Sequence, residues 1–256
     1  MKQLLRFEFR KLFRQKSFYI CAAVAAAMVV IIALSTNLLL SLASREESLQ
    51  NVPASVLSPT AWSFAASAFS NGQLSLILGI FVALYACADY TNDTLKNIYA
   101  RGYGRTPVYL AKFVVSAAGS LLTFAAITLL SFVVGALFLE LGDPAGYART
   151  IPAQAVVMLG YHTMFYMIAV MIARTGGAIA VNIVGPSVVS LLLTLGDNLL
   201  QSDTFRFSDY WIDRFYLVAQ DPAKDWNALL GAMAGALVFA AVFFAAGLLL
   251  NRRKQL

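Results

Sequence analysis

Long uncharged apolar stretches alternate with short charged ones along this chain. Uncharged runs cover 17–44, 48–88, 113–139, 150–173, 175–196 and 226–251. A helix that crosses the hydrocarbon core of a bilayer needs about 20 apolar residues. The pattern therefore predicts six spans, at about 17–42, 72–88, 110–139, 151–173, 176–197 and 227–250. The first part of the 48–88 run contains Pro53, Pro59 and several Ser and Asn residues, which confines the second span to its end and makes it the shortest. The expected fold class is an all-α integral membrane protein, with a single transmembrane domain over 1–256.

The segments between the spans have patterns of their own. Within 1–16, Lys2, Arg6, Arg10 and Arg14 recur every fourth residue and make one cationic helix face, while Leu5, Phe9, Leu12 and Phe13 line another. This predicts an amphipathic elbow helix in the membrane interface, its basic side toward anionic lipid heads. The helix either anchors topology alone or also touches a cytoplasmic partner. Residues 90–107 form the one sizeable internal loop on the same side. Asn92 or Asp93 can cap a short helix over 94–100, and Gly102 and Gly104 can end it. On the opposite side, an interfacial helix starting at Pro59 is expected within 45–72. The segment 198–225 mixes aromatic and acidic residues, suiting either a gate or an interfacial aromatic belt. Gly231 and Gly235 fit the GxxxG packing pattern, as Ala22/Ala26 and Ala23/Ala27 fit its weaker form. Gly185-Pro186 predicts a kink in the fifth span.

Charge fixes the orientation. With both termini cytoplasmic, the inner segments carry fourteen basic residues and three acidic ones, a net of +11; the outer segments carry five and ten, a net of −5. The Lys/Arg bias sets topology in this way, and all three Trp (Trp62, Trp211, Trp226) fall on the outer side. Composition agrees: 60 % of residues are hydrophobic and only 12 % charged, about half the ~25 % of soluble domains, which excludes disorder, a soluble nucleic-acid binder and a disulfide scaffold. The apolar run and basic lead of the first span are too long for a signal peptide. Cys21 and Cys87 lie near cytoplasmic span ends and are expected to be free and structural.

Several chemistries are missing. One histidine, His162, cannot build a three-His or HExxH metal site, and neither a GxSxG elbow nor a GxxxxGK[ST] phosphate loop occurs. No catalytic site, metal site or bound cofactor is expected. Polar groups near mid-span are limited to His162 and Asn182, with Pro186 nearby; these are the candidate pathway residues. Either they hydrogen-bond between helices, or they serve a stand-alone channel or ion-coupled secondary transporter.

The loop after the second span reads Asn92-Asp93-Thr94-Leu95-Lys96-Asn97-Ile98 and continues through Arg105 and Tyr109-Leu110-Ala111-Lys112. With the basic amphipathic N-terminus, it resembles the small six-helix permease subunits of type-2 ABC exporters, including those of antimicrobial-peptide immunity and bacitracin-type resistance. Thr94, Leu95, Lys96, Asn97, a following Gly, Arg105 and Lys112 match that family's loop; Asp93 stands where a Gly is usual, and Gly104-Arg105 where Ser-Arg is usual. The resemblance implies a bacterial-type plasma-membrane permease working as a homodimer or paralogue heterodimer. Two cytoplasmic ABC ATPase subunits would hold ATP and Mg. Thr94, Leu95, Lys96, Asn97, Ile98, Tyr99 and Arg105 would couple to the ATPase, with Leu95, Ile98 and Tyr99 as the apolar docking residues. Arg6, Arg10 and Arg14 would mark the elbow helix. The cargo implied is amphipathic: a peptide, drug or lipid-like molecule moved outward.

Overall fold

A computed structural model describes residues 2–43, 59–69, 73–92, 94–200 and 205–253. The described residues are mostly helical, with no strand among them. Helix α1 (Lys2–Arg14) runs directly into α2 (Lys16–Ala43). There follow α3 (Ala61–Ala66), α4 (Gln73–Thr91), α5 (Thr94–Ala100), α6 (Arg105–Phe138), α7 (Tyr147–Ile172) and α8 (Thr175–Leu200). A 3-10 turn (Phe207–Tyr210), α9 (Ile212–Gln220) and α10 (Trp226–Arg253) complete the chain.

Among the described residues, five helices (α2, α6, α7, α8 and α10) are long and apolar enough to cross a membrane. The apolar part of α4, Leu76–Thr91, is shorter. At 1.5 Å per residue it spans about 24 Å, less than the ~30 Å hydrocarbon core. Helix α6, by contrast, has 34 residues and a length of about 50 Å, so one end projects well beyond that core. Its first turns, from Arg105 to Lys112, give α1 and α5 a surface to pack on.

Helix α7 is the centre of the bundle. It packs on α10 most extensively and also meets α3, α4, α6, α8 and α9. Helices α2 and α8 bury one narrow stripe each and present Leu, Ile and Val outward. In α2 the buried stripe is Cys21, Ala25, Val29 and Ala33, one residue per turn. Both cysteines are buried, and neither is in a disulfide. Helix α8 is assigned without interruption across Gly185 and buried Pro186, the point where the sequence predicts a kink.

At the end away from α1 and α5, short elements are tied to the bundle. Helix α3 starts at Ala61 with Thr60 as its cap, not at Pro59. Ser63 N–H donates to Thr60 Oγ1 (3.2 Å), and Thr60 N–H donates to Ser63 Oγ (2.8 Å), so two otherwise orphaned donors are satisfied reciprocally. Its Ala61, Phe64 and Ala65 are buried, and the Trp62 ring lies 4.4 Å from that of Phe132 on α6. The aromatic segment after α8 divides in two. Phe205, Phe207 and Tyr210 are exposed, while Ile212, Tyr216 and Ala219 of α9 are buried between α7 and α10. Asp213 fixes α9 by accepting from the Tyr161 hydroxyl and from Trp211 Nε1 (3.1 Å). Gly235 of the GxxxG pair makes room for the Phe215 ring, since a Cβ there would lie 2.6 Å from it; Gly231 faces open space. The pattern thus serves packing inside this chain at Gly235.

Candidate functional site

The N-terminal helix is docked by a stripe that the basic pattern hides. Leu4, Glu8 and Leu12, one per turn, are all buried, while Arg6, Arg10 and Arg14 are exposed on the other side. The stripe lies on α6. An acid at the centre of a buried stripe demands a partner, because an uncompensated buried charge costs several kcal/mol. Glu8 has two: Tyr85 of α4 donates its hydroxyl to Glu8 Oε2 (2.8 Å), and Lys112 Nζ of α6 lies 3.6 Å from Oε1.

Asp89, at the end of α4, completes the set. Lys11 Nζ lies 2.6 Å from Asp89 Oδ2, and Lys112 Nζ contacts the same oxygen. Thr94, the first residue of α5, donates its hydroxyl to Asp89 Oδ1 (2.7 Å). Two carboxylates therefore face two ammoniums, and the group is neutral as a whole. Both ammoniums also stand over the Tyr85 ring, at 5.6 and 5.9 Å from its centre. Burial lowers the Lys11 pKa from its ordinary value, and the negative charge of Glu8 opposes that shift. Asp89 thus joins its own helix to α1, α5 and α6 through one side chain.

Helix α5 is held from beneath as well. Leu95, only 3 % exposed, packs with Leu4, Val108 and Ala111, and Ile98 and Tyr99 border that cluster. Leu95 therefore faces the bundle and anchors α5 from the inside. The outward face consists of Lys96, Asn97 and Ala100, and exposed Arg101 follows in the next turn. The helix ends at Gly102, whose φ of +84° is the left-handed conformation that suits glycine, and whose N–H donates to Tyr99 O (2.9 Å). Gly104 instead caps the start of α6. Capping by Asp93 lies outside the described residues; Asn92 is in the turn before α5. Arg105 opens α6, and its carbonyl accepts from Asn251 Nδ2 of α10 (3.4 Å).

The mid-span residues are elsewhere and make separate bonds. His162 is fully buried between two serines of α6. Nε2 lies 3.2 Å from Ser116 Oγ and Nδ1 lies 2.9 Å from Ser120 Oγ, both within hydrogen-bond distance. Both ring nitrogens are thus satisfied, and the imidazole ties α6 to α7. Asn182 of α8 donates to Gly79 O of α4 (3.1 Å) and Phe165 O of α7 (3.5 Å), and so ties three helices. No cluster of metal-ligating side chains occurs among the described residues.

Helix α1 and the short helix α5 thus meet through Leu4 and Leu95, and the sequence reading missed the ionic groups beside that contact. Glu8 was the available signal: it is the one acid within 1–16, and it falls in register with Leu4 and Leu12. The family model described as ABC-2 family transporter protein matches residues 4–197, which is 194 of 256 residues and includes every member of the ionic cluster. No curated protein matches the chain.

Proposed function

The chain belongs to the ABC-2 transporter family, whose members are membrane permease components working with an ABC ATPase, and from that premise we propose that it is the pathway-forming subunit of an exporter driven through α5. Helix α4 acts as the sixth span, both termini are cytoplasmic, and α1 lies along the inner interface of a bacterial-type plasma membrane. Two ATPase subunits, which hold the ATP and Mg, dock beneath a pair of permease chains, either identical or paralogous.

One observation carries this reading. Helix α5 is pinned to the bundle by Leu95 and by the Thr94–Asp89 bond, yet turns Lys96, Asn97 and Arg101 outward. A short helix with a rigid inner attachment and a polar outer face is suited to receive a push. Asp89, Lys112 and Glu8 then pass displacement of α5 to α1, α4 and α6 together, because a paired charge in a dry site resists separation. In this reading the outer faces of α2 and α8 meet the second permease chain, and α9 closes the outer end.

The cargo is amphipathic, of the peptide, drug or lipid-like kind, in keeping with the resemblance to antimicrobial-peptide resistance systems. A groove of about 610 Å³ between α3, α6 and α7 supports this, since it is lined by Trp62, Phe124, Leu129, Phe132 and Ile151 with only Thr128 polar. His162 and Asn182 then hold helices together rather than coupling an ion.

Affinity purification from native membranes in mild detergent tests the reading. A P-loop ATPase in about equal amount is the expected companion, and a second six-helix chain would mark a heterodimer. Absence of any ATPase, even after crosslinking through 94–100, would overturn it.

A further inference from the structure

Phe7, Arg10, Lys11 and Arg14 stand at i, i+3, i+4 and i+7 on α1 and so share one face. Across from them stand Ala88 near the end of α4 and Asn92 just past it, and Gln15 closes the groove between α1 and α4. The groove holds about 410 Å³, and no acidic residue lines it among the described residues. Neither Arg10 nor Arg14 has an ion-pair partner among the described residues. Lys11 does, and it belongs both to the groove and to the Asp89 cluster. Two unpaired guanidiniums on one cleft suit an anion with several acceptor oxygens, and their planar forks match phosphate.

The surroundings distinguish a lipid from a soluble anion. Phe7 and Phe13 are 53 % and 47 % exposed on the same helix as the arginines. An acidic loop of a soluble partner would satisfy the cations and leave both rings in water. A phospholipid satisfies the arginines together with Phe7, its headgroup on the guanidiniums and an acyl chain along the Phe7 ring that lines the groove. We propose that the groove between α1 and α4 is a binding site for an anionic phospholipid of the inner leaflet, with its phosphate held by Arg10, Arg14 and the outer side of Lys11. The proposal rests on the N-in orientation given above. It makes the lipid a neighbour of the Asp89 cluster, sharing one ammonium with it.

The lipid measurement is made on the permease alone, and ATPase co-purification is followed in parallel. The purified permease is titrated with phosphatidylglycerol or phosphatidylcholine in detergent, and bound lipid is counted by native mass spectrometry. Phosphatidylglycerol should bind about tenfold more tightly than phosphatidylcholine, and Arg10→Gln with Arg14→Gln should remove that preference. Lys2→Gln with Arg6→Gln, which removes the same charge from the same helix, should change affinity less than about twofold. Equal loss in both double variants would mean general attraction to charge and would overturn the site. Equal competition by free glycerol phosphate would assign the groove to a soluble anion, and unchanged lipid preference with lost ATPase co-purification would assign it to a protein; either contradicts the proposal. Lipid preference retained in a chain that recruits no ATPase would leave the groove standing while the transporter reading fell.

Discussion

Replacing Asp89 by alanine should destabilise the protein by roughly 3–5 kcal/mol and release the N-terminal helix, the usual consequence of removing one partner from a buried ion pair. Without Asp89, Lys112 keeps only Glu8, Lys11 loses its ion-pair partner, and Thr94 loses the acceptor that starts α5. The loss should appear as a lower unfolding midpoint in detergent and as new protease cleavage near Gln15. Asp89→Asn separates the parts of the effect: it keeps an acceptor for Thr94 but not the charge, and should fall between wild type and Asp89→Ala. Asp89→Leu combined with Lys112→Met should recover part of the loss, since apolar replacement of a whole buried pair is often neutral. A change under about 0.5 kcal/mol for Asp89→Ala, the range of ordinary surface substitutions, would mean that water already reaches these charges.

The second large effect is expected on the outward face of α5. Lys96→Glu with Arg101→Glu should weaken ATPase association by about a hundredfold or more, because like charges set against each other in an interface cost several kcal/mol. Both side chains are exposed, so the unfolding midpoint should stay near that of wild type. Leu95→Asp should behave in the opposite way. It puts a carboxylate among Leu4, Val108 and Ala111, and should lower stability before it alters docking. The contrast separates loss of a docking face from loss of the helix that bears it, when both variants are assayed for melting and for ATPase pull-down.

The helical, multi-span character of this chain and its membership of a transporter family were legible because bilayer burial leaves a one-dimensional record. A run such as 113–139 has no charge, and its length alone identifies it. The short helix at 94–100 was legible because Gly102 marks its end. What bound these parts together was not. Glu8, Lys11, Tyr85, Asp89 and Lys112 come from three helices, and Lys112 stands over a hundred positions from Glu8. No local period reports such a meeting. Counting charges for topology even obscured it, since Asp89 and Lys112 enter that count as loop charges whatever they face. The direction of Leu95 was hidden for a related reason: on a seven-residue helix, an apolar side chain can face a partner or its own bundle with the same spacing. The His162 bonds had a fainter signature, a pair of serines at 116 and 120 that share one face of α6.

Placing a photo-crosslinking amino acid singly at positions 95, 97 and 101, in cells that express the native partner, tests the α5 docking face most directly. Positions 97 and 101 should capture a P-loop ATPase and position 95 should not. Capture from none of the three, with the same ATPase co-purifying, would show that the enzyme docks elsewhere and that α5 is not where its motion enters the membrane.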